Sequence, residues 1–260
     1  MSTKLYIVEG LPCSGKSTAA AYIAKLTGGK LFDEGSADHP ADYEFSAFIP
    51  DSAGFTPEER RVMEECAEPQ PGGIVVKLSR LPGEIQSKAL RYKIYDALDW
   101  ETERPVMLRK WRSFVENAGD EVYVFNCVLL QNPMCETMMR FDFPTEKSLE
   151  YIKEICDIIR PLEPVVIYLK STDAAGQIRG ALPERGEEWL SAVTDYHCNG
   201  GYGRAHGLSG FEGYISALEE RQRRELSFLK ELPVKSVVLE LPRGLDKAYR
   251  VLDETLRGEL

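Results

Sequence analysis

The chain has 260 residues, of which 43% are hydrophobic and 28% charged, with a formal net charge of −10. That length holds one enlarged domain or a domain with a sizeable insertion. The acidity argues against a nucleic-acid partner, whose binding is driven by phosphate neutralisation. No apolar run reaches the length of a membrane span, and the N-terminus lacks a signal-peptide profile, so the expected location is the cytoplasm.

The first predicted element is a short buried strand over 4–8, Lys4-Leu5-Tyr6-Ile7-Val8. Gly10-Leu11-Pro12-Cys13-Ser14-Gly15-Lys16-Ser17-Thr18 follows and fits G-x-x-x-x-G-K-[ST], a phosphate-binding loop. A strong helix former runs from Ser17 to Leu26 and stops at Gly28-Gly29. Strand before and helix after are the context this motif requires. Gly10 and Gly15 let the backbone curl so that successive N–H groups face phosphate oxygens, and the helix aims its positive end at them. Lys16 is expected to reach the β- and γ-phosphates of ATP, and the Ser17 hydroxyl to bind Mg²⁺. Cys13, inside the loop and near a helix N-terminus, is either a small residue at a variable position or a thiol of lowered pKa. All six cysteines (Cys13, Cys66, Cys127, Cys135, Cys156, Cys198) lack C-x-x-C or zinc-site spacing and read as reduced thiols.

Lys30-Leu31-Phe32 predicts a second strand that delivers Asp33-Glu34-Gly35 at its C-terminal end, the ligand-binding edge of open α/β sheets. The two carboxylates are candidates for Mg²⁺ coordination, by Asp33 above all, or for accepting a proton from an attacking hydroxyl. Residues 36–56 look irregular. Thr56-Pro57-Glu58-Glu59 starts a helix running to about Ala67, and Ile74–Leu78 suggests a short strand. Two more helices are predicted, over 84–98 and 103–117. The stretch 36–119 is too long for a connection and reads as a helical insertion over the strand ends, an acceptor-binding cap. Arg104, Arg109, Lys110 and Arg112 on its last helix either face an anionic acceptor or form a solvated face.

Residues 121–130 are the most apolar segment and predict a central strand buried on both faces. Phosphate-loop enzymes usually place an Asp at its end, holding Mg²⁺. Here Asn126 is the polar residue, which shifts the acid's role to Asp33, Glu34, Glu9 or water ligands. Met134–Phe141, with Glu136 and Arg140, either lines an acceptor pocket or packs in the core. A helix from Ser148, a strand over 164–169 and a polar segment carrying Arg179 and Arg185 follow; 171–210 reads as a lid whose two arginines neutralise the triphosphate. The Gly-rich 197–207 stretch looks mobile. A long helix from Phe211 to about Leu232 carries Glu219–Glu225 as a solvated charged face. A fifth strand over 235–241 and a helix over 245–256 complete the order.

This order resembles the nucleoside and nucleotide kinase group of P-loop proteins, which includes thymidylate kinase and the deoxynucleoside kinases. Those families often open the loop with a Glu-Gly pair, as Glu9-Gly10 does here. In deoxynucleoside kinases a Glu after the second strand is the base, a place that Asp33-Glu34 occupies. Arginines of their lid contact phosphates, a position that Arg179 and Arg185 match. Asn126-Cys127 replaces the acid–Arg pair those families carry after the third strand. The resemblance implies one αβα sandwich across 1–260, with a five-stranded parallel sheet in the order 2-3-1-4-5 and a helical insertion. The expected function is transfer of the γ-phosphate of ATP to a small-molecule hydroxyl or phosphate acceptor. The other reading is a nucleotide-dependent regulatory ATPase with a protein partner.

Overall fold

A computed structural model of the chain describes residues 3–36, 38–241 and 245–259. Ala37, within the stretch expected to be irregular, lies outside the described residues. The chain divides into two compact units, one formed by residues 1–34 and 118–260 and the other by Gly35–Asn117. The first opens with strand β1 (Leu5–Gly10), helix α1 (Lys16–Thr27) and strand β2 (Lys30–Phe32). The second then runs through β3 (Ser46–Pro50), α2 (Pro57–Glu64), β4 (Ala67–Gln70), β5 (Gly73–Lys77), α3 (Gly83–Ala89) and α4 (Trp100–Asn117). The chain returns to the first unit with β6 (Tyr123–Asn126), the short α5 (Gln131–Met134), a π-helical turn (Cys135–Arg140), α6 (Thr145–Ile159) and β7 (Val165–Leu169). It closes with α7 (Ala174–Arg185), α8 (Glu187–Cys198), α9 (Gly201–Ala205), α10 (Gly210–Phe228), β8 (Lys235–Leu239) and α11 (Leu245–Glu259).

The first unit is an αβα sandwich. Its sheet runs β2-β6-β1-β7-β8, all pairs parallel. Counted within the sheet this is the expected order 2-3-1-4-5. Alternation sends Tyr6 and Val8 of β1 against Ala19, Ala20 and Ile23 of α1 and Leu252 and Leu256 of α11. The opposite face carries Glu9 and its neighbour in register Tyr168, which meets α10. Every residue of β1 is buried, as a central parallel strand requires.

The apolar run 121–130 does not form one long strand. β6 stops at Asn126; Cys127 takes a left-handed conformation (φ 59°), and the amides of Leu129, Leu130 and Gln131 turn to the Glu9 carboxylate instead of a neighbouring strand.

The second unit is not purely helical. Its core is an antiparallel sheet in the order β3-β5-β4, with residues 46–50 in a strand where irregular structure is expected. Thr56 and Glu59 form the expected capping box, but α2 ends at Glu64 and the chain enters β4. Pro69 is tolerated because β4 is an edge strand. The helix expected over 84–98 ends at Ala89, because the Ile94 amide donates to the Ser46 carbonyl and draws the chain to the sheet.

Candidate active site

The sheet itself assembles the site. Parallel register sets Phe32 beside Phe125 and Val8 beside Asn126. The residues just past those partners, Asp33-Glu34, Asn126-Cys127 and Glu9-Gly10, therefore meet at one edge, where the phosphate loop begins.

Gly10 opens the loop at φ 145°, and a Cβ on it would lie 2.5 Å from the Leu169 carbonyl oxygen. Only glycine fits that close approach of β1 to β7. Gly15 caps α1 in the left-handed conformation, and the buried Lys16 folds its Nζ back to the Leu11 carbonyl at 3.0 Å. Cys13 is left-handed too (φ 62°). Burial pushes its thiol above the ordinary range, against the pull of the Arg185 and Lys16 charges, so it is not an activated thiolate.

Asn126 is the centre of the polar set. Its Nδ2 donates to Ser17 Oγ at 3.1 Å and to Asp33 Oδ1 at 2.9 Å, and its buried Oδ1 has no hydrogen-bond partner among the described residues. The amide thus ties the loop hydroxyl to the carboxylate at the end of β2. The groups brought together around the amide nitrogen are a hydroxyl and a carboxylate, the hard-oxygen chemistry that Mg²⁺ prefers. The residues fit the ion.

Glu34 accepts from Gln131 Nε2 at 2.7 Å and from the Cys127 thiol, whose pKa burial raises, with Glu34 pushing it further. Its carboxylate is exposed, held, and beside the metal-type cluster. Glu9 does not share this role. It is fully buried and accepts from the Leu129, Leu130 and Gln131 amides at 2.7, 2.8 and 3.2 Å, and burial pushes its carboxyl up to about 7.

Helices α7 and α8, the expected lid, pack on the loop through an apolar cluster. Ala174 and Ile178 of α7 join Leu11, Tyr214 and Leu218, with Cys13, Trp189 and Leu190 against them. Arg179 lies over the Phe211 ring at 4.5 Å and pairs with Glu212 at 3.4 Å. Arg185 lies over Trp189 at 5.6 Å, near enough to Cys13 for its charge to be felt there.

The Gly-rich stretch is closely packed. A Cβ on Gly200 would collide with the Met139 carbonyl, one on Gly201 with that of Arg140, and one on Gly203 with those of His197 and Cys198. These glycines let α9 lie on the π-helical turn, whose Met138 and Met139 are fully buried. Glu136 is also buried there, pairing with Arg140 at 2.6 Å, so the turn is core. His197 bonds its own helix at the Val193 carbonyl, and burial pushes it down to about 4.

On α4, Lys110 is engaged within its own unit. It pairs with Glu68 at 3.0 Å and lies 4.5 Å over the Tyr43 ring. Arg109 and Arg112 are exposed.

The helix expected from Phe211 is α10, but sequence reasoning missed the role of two of its charges. Within the run read as a solvated face, Arg221 and Glu225 are both buried, paired at 3.2 Å, and reach the loop and β7. A readable signal was present, since Tyr214, Leu218, Arg221 and Glu225 share one helical face.

No protein-family model and no curated protein sequence matches the chain. Solved structures do resemble it along its length. The YorR protein of Bacillus subtilis, in complex with phosphorylated GDP, is 15% identical, with 98% of this chain and 96% of that one covered and a TM-score of 0.45. The deoxyadenosine kinase of M. mycoides with bound dATP is 14% identical over 97% of this chain and 99% of that one, with a TM-score of 0.43. The thymidylate kinase of Candida albicans is 13% identical over 99% and 92%, with a TM-score of 0.44.

Proposed function

We propose that the chain is an ATP-dependent phosphotransferase that acts on a small-molecule hydroxyl or phosphate acceptor. The observation that carries this reading is the Ser17–Asn126–Asp33 bridge beside Lys16, with Glu34 held at its edge. The amides of residues 10–18 cradle the phosphates, and Lys16 leaves the Leu11 carbonyl to reach the β- and γ-phosphates. Ser17 and Asp33 would hold Mg²⁺, which would supply charge neutralisation for the phosphates. Glu34 takes the proton of the acceptor hydroxyl. The acceptor oxygen then bonds to the γ-phosphorus, the bond from that phosphorus to the β–γ bridging oxygen breaks, and ADP leaves with the electron pair. Arg185, over Trp189 and near the loop, is placed to balance charge on the transferred group, with Arg179 as its partner on the same helix. The unit Gly35–Asn117 is assigned to the acceptor and 171–210 to a lid.

A second reading is favoured by one observation, the amide of Asn126 where an acid is usual. It is a regulatory ATPase that binds nucleotide, hydrolyses it slowly and holds a protein partner.

ADP release from Mg²⁺-ATP, with and without a panel of nucleosides, nucleotides, sugars and aminoglycosides, separates the two. An acceptor-dependent rise that is lost in Lys16→Ala and falls ~10²–10⁴-fold in Glu34→Gln is the expected outcome. Slow release that no acceptor changes would favour the regulatory reading. Full activity in both Glu34→Gln and Asp33→Asn would remove the base assignment.

A further inference from the structure

We propose that Arg221 is a positioning residue of the phosphate loop, holding the Gly10 carbonyl from beneath so that the loop amides stay turned toward the phosphates. This rests on the loop's role as the nucleotide site and names a residue that fixes its shape.

Arg221 is 1% exposed, yet its five donors are poorly used within the protein. Nη2 donates to the Gly10 carbonyl at 3.3 Å, Nη1 meets Cys135 Sγ at 3.8 Å, and Nε faces Glu225 Oε1 at 3.2 Å without forming a hydrogen bond. A helix that needed only stability would do better with an apolar residue here, because a buried ion pair seldom repays its desolvation. What the guanidinium alone provides is a cationic donor on the first carbonyl of the loop. A peptide unit has two ends: fixing the Gly10 oxygen fixes the opposite direction of the Leu11 N–H.

The rest of α10 supports this placement. Glu225 holds Arg221 from one side and accepts from the Tyr168 hydroxyl at 2.6 Å on the other. Gln222 clasps Ser171 twice, accepting from its N–H at 2.7 Å and donating to its carbonyl at 3.0 Å. The same helix packs Tyr214 and Leu218 against Leu11. It is thereby fixed to both the loop and the end of β7, whose Leu169 carbonyl closes on Gly10. Arg221 aims at a frame that cannot drift.

The test must separate positioning from folding. Arg221→Met alone strands the Glu225 charge, so it is expected to lower the melting temperature as well as nucleotide affinity. The double variant Arg221→Met with Glu225→Gln removes both buried charges and keeps an acceptor for the Tyr168 hydroxyl. It is expected to melt near the wild type and still bind Mg²⁺-ATP at least tenfold more weakly. Hydrogen exchange at residues 11–16 of the nucleotide-free protein is expected to quicken tenfold or more in the double variant, with the amides of β1 and β7 unchanged. Wild-type ATP affinity and wild-type exchange in the double variant would overturn the proposal. The exchange readout needs no nucleotide. A wild-type chain that bound no ATP would therefore remove the ATP reading, while faster loop exchange in the double variant would still support the positioning role.

Discussion

The two units bury polar groups in opposite ways. In Gly35–Asn117 the polar cluster is closed on itself. The Tyr43 hydroxyl donates to Glu68 and accepts from Gln70 Nε2 at 2.9 Å, Lys110 completes Glu68 at 3.0 Å, and Tyr95 donates to Asp42 at 2.6 Å. In the unit of residues 1–34 and 118–260, Asn126 Oδ1, Gln131 Oε1 and Ser14 Oγ are buried without a hydrogen-bond partner among the described residues, as are Ser148 Oγ and the Tyr214 hydroxyl elsewhere. The first three sit at the end of β6, at the start of α5 and on the loop. An unpaired buried polar atom costs about 1–3 kcal/mol, so a set of them in one place points to groups awaiting a ligand. A satisfied network specifies a fold; an unsatisfied one at a sheet edge marks a site.

The difference can be broken most forcefully with pH. Glu9 is raised to about 7 by burial, opposed by its three amide bonds. Between its ordinary 4.5 and 7 the folded chain keeps this proton while the unfolded chain has lost it. Its contribution to stability is therefore full below about 4.5 and lost as the pH rises through 7, by about 3 kcal/mol in all. His197 in the same unit is pushed down to about 4 by burial, so its contribution is full above 6.5 and lost as the pH falls through 4. The two slopes oppose each other. His39 in the other unit, down to about 4 through burial and the Lys110 charge, contributes only the acid-side loss. The expected outcome, read by hydrogen exchange between pH 5 and 7.5, is that Glu9→Gln steepens the loss of stability on acidification in the unit of residues 1–34 and 118–260 and leaves the profile of Gly35–Asn117 unchanged. The same profile in Glu9→Gln and wild type would refute the assignment.

A smaller effect is expected from the bridge. Asn126→Leu removes the tie between Ser17 and Asp33, and outer-shell partners of this kind typically contribute ~10–100-fold in metal affinity. Mn²⁺ binding to the ATP complex, followed by electron paramagnetic resonance, should weaken by about that factor, while ATP binding without metal stays near wild type. An unchanged Mn²⁺ affinity would show that Asn126 does not order the metal-binding oxygens.

Much of the unit of residues 1–34 and 118–260 was legible in the sequence because local pattern and global fold agree there. The loop motif, the five strand-forming runs and the carboxylates at the end of β2 each follow from spacing alone. The sheet order came with the resemblance and is the one found. The failures have physical causes. Residues 121–130 read as one strand because periodicity cannot show that Glu9, more than 100 residues away, takes the amides of the second half. The 84–98 helix breaks at Ala89 through a bond to Ser46, again a distant partner. Arg221 and Glu225 were hidden among Glu219, Glu220, Arg223 and Arg224, which do form a charged outer face, so composition masked the two that turn inward. Glycines at 200–203 promised mobility, whereas their lack of a side chain serves close packing on the π-helical turn. Strands made by long-range pairing, as in Gly35–Asn117, leave the weakest local signal.

The smallest predicted effect bears most directly on whether the closed cluster has any part in nucleotide binding. In Tyr43→Phe the ring stays under Lys110 and the Lys110–Glu68 pair stays intact. Only the hydroxyl is lost, leaving Gln70 Nε2 without its acceptor and one Glu68 oxygen without its donor. Both side chains are only partly buried, so water replaces the missing group. The cost should be about 1 kcal/mol, measured as faster exchange of the amides of β4 and β5. Mg²⁺-ATP affinity should not change. The Tyr43 hydroxyl is engaged at both ends, donating to Glu68 and accepting from Gln70, so it is not held for a phosphate. A tenfold loss of ATP affinity in Tyr43→Phe would contradict that.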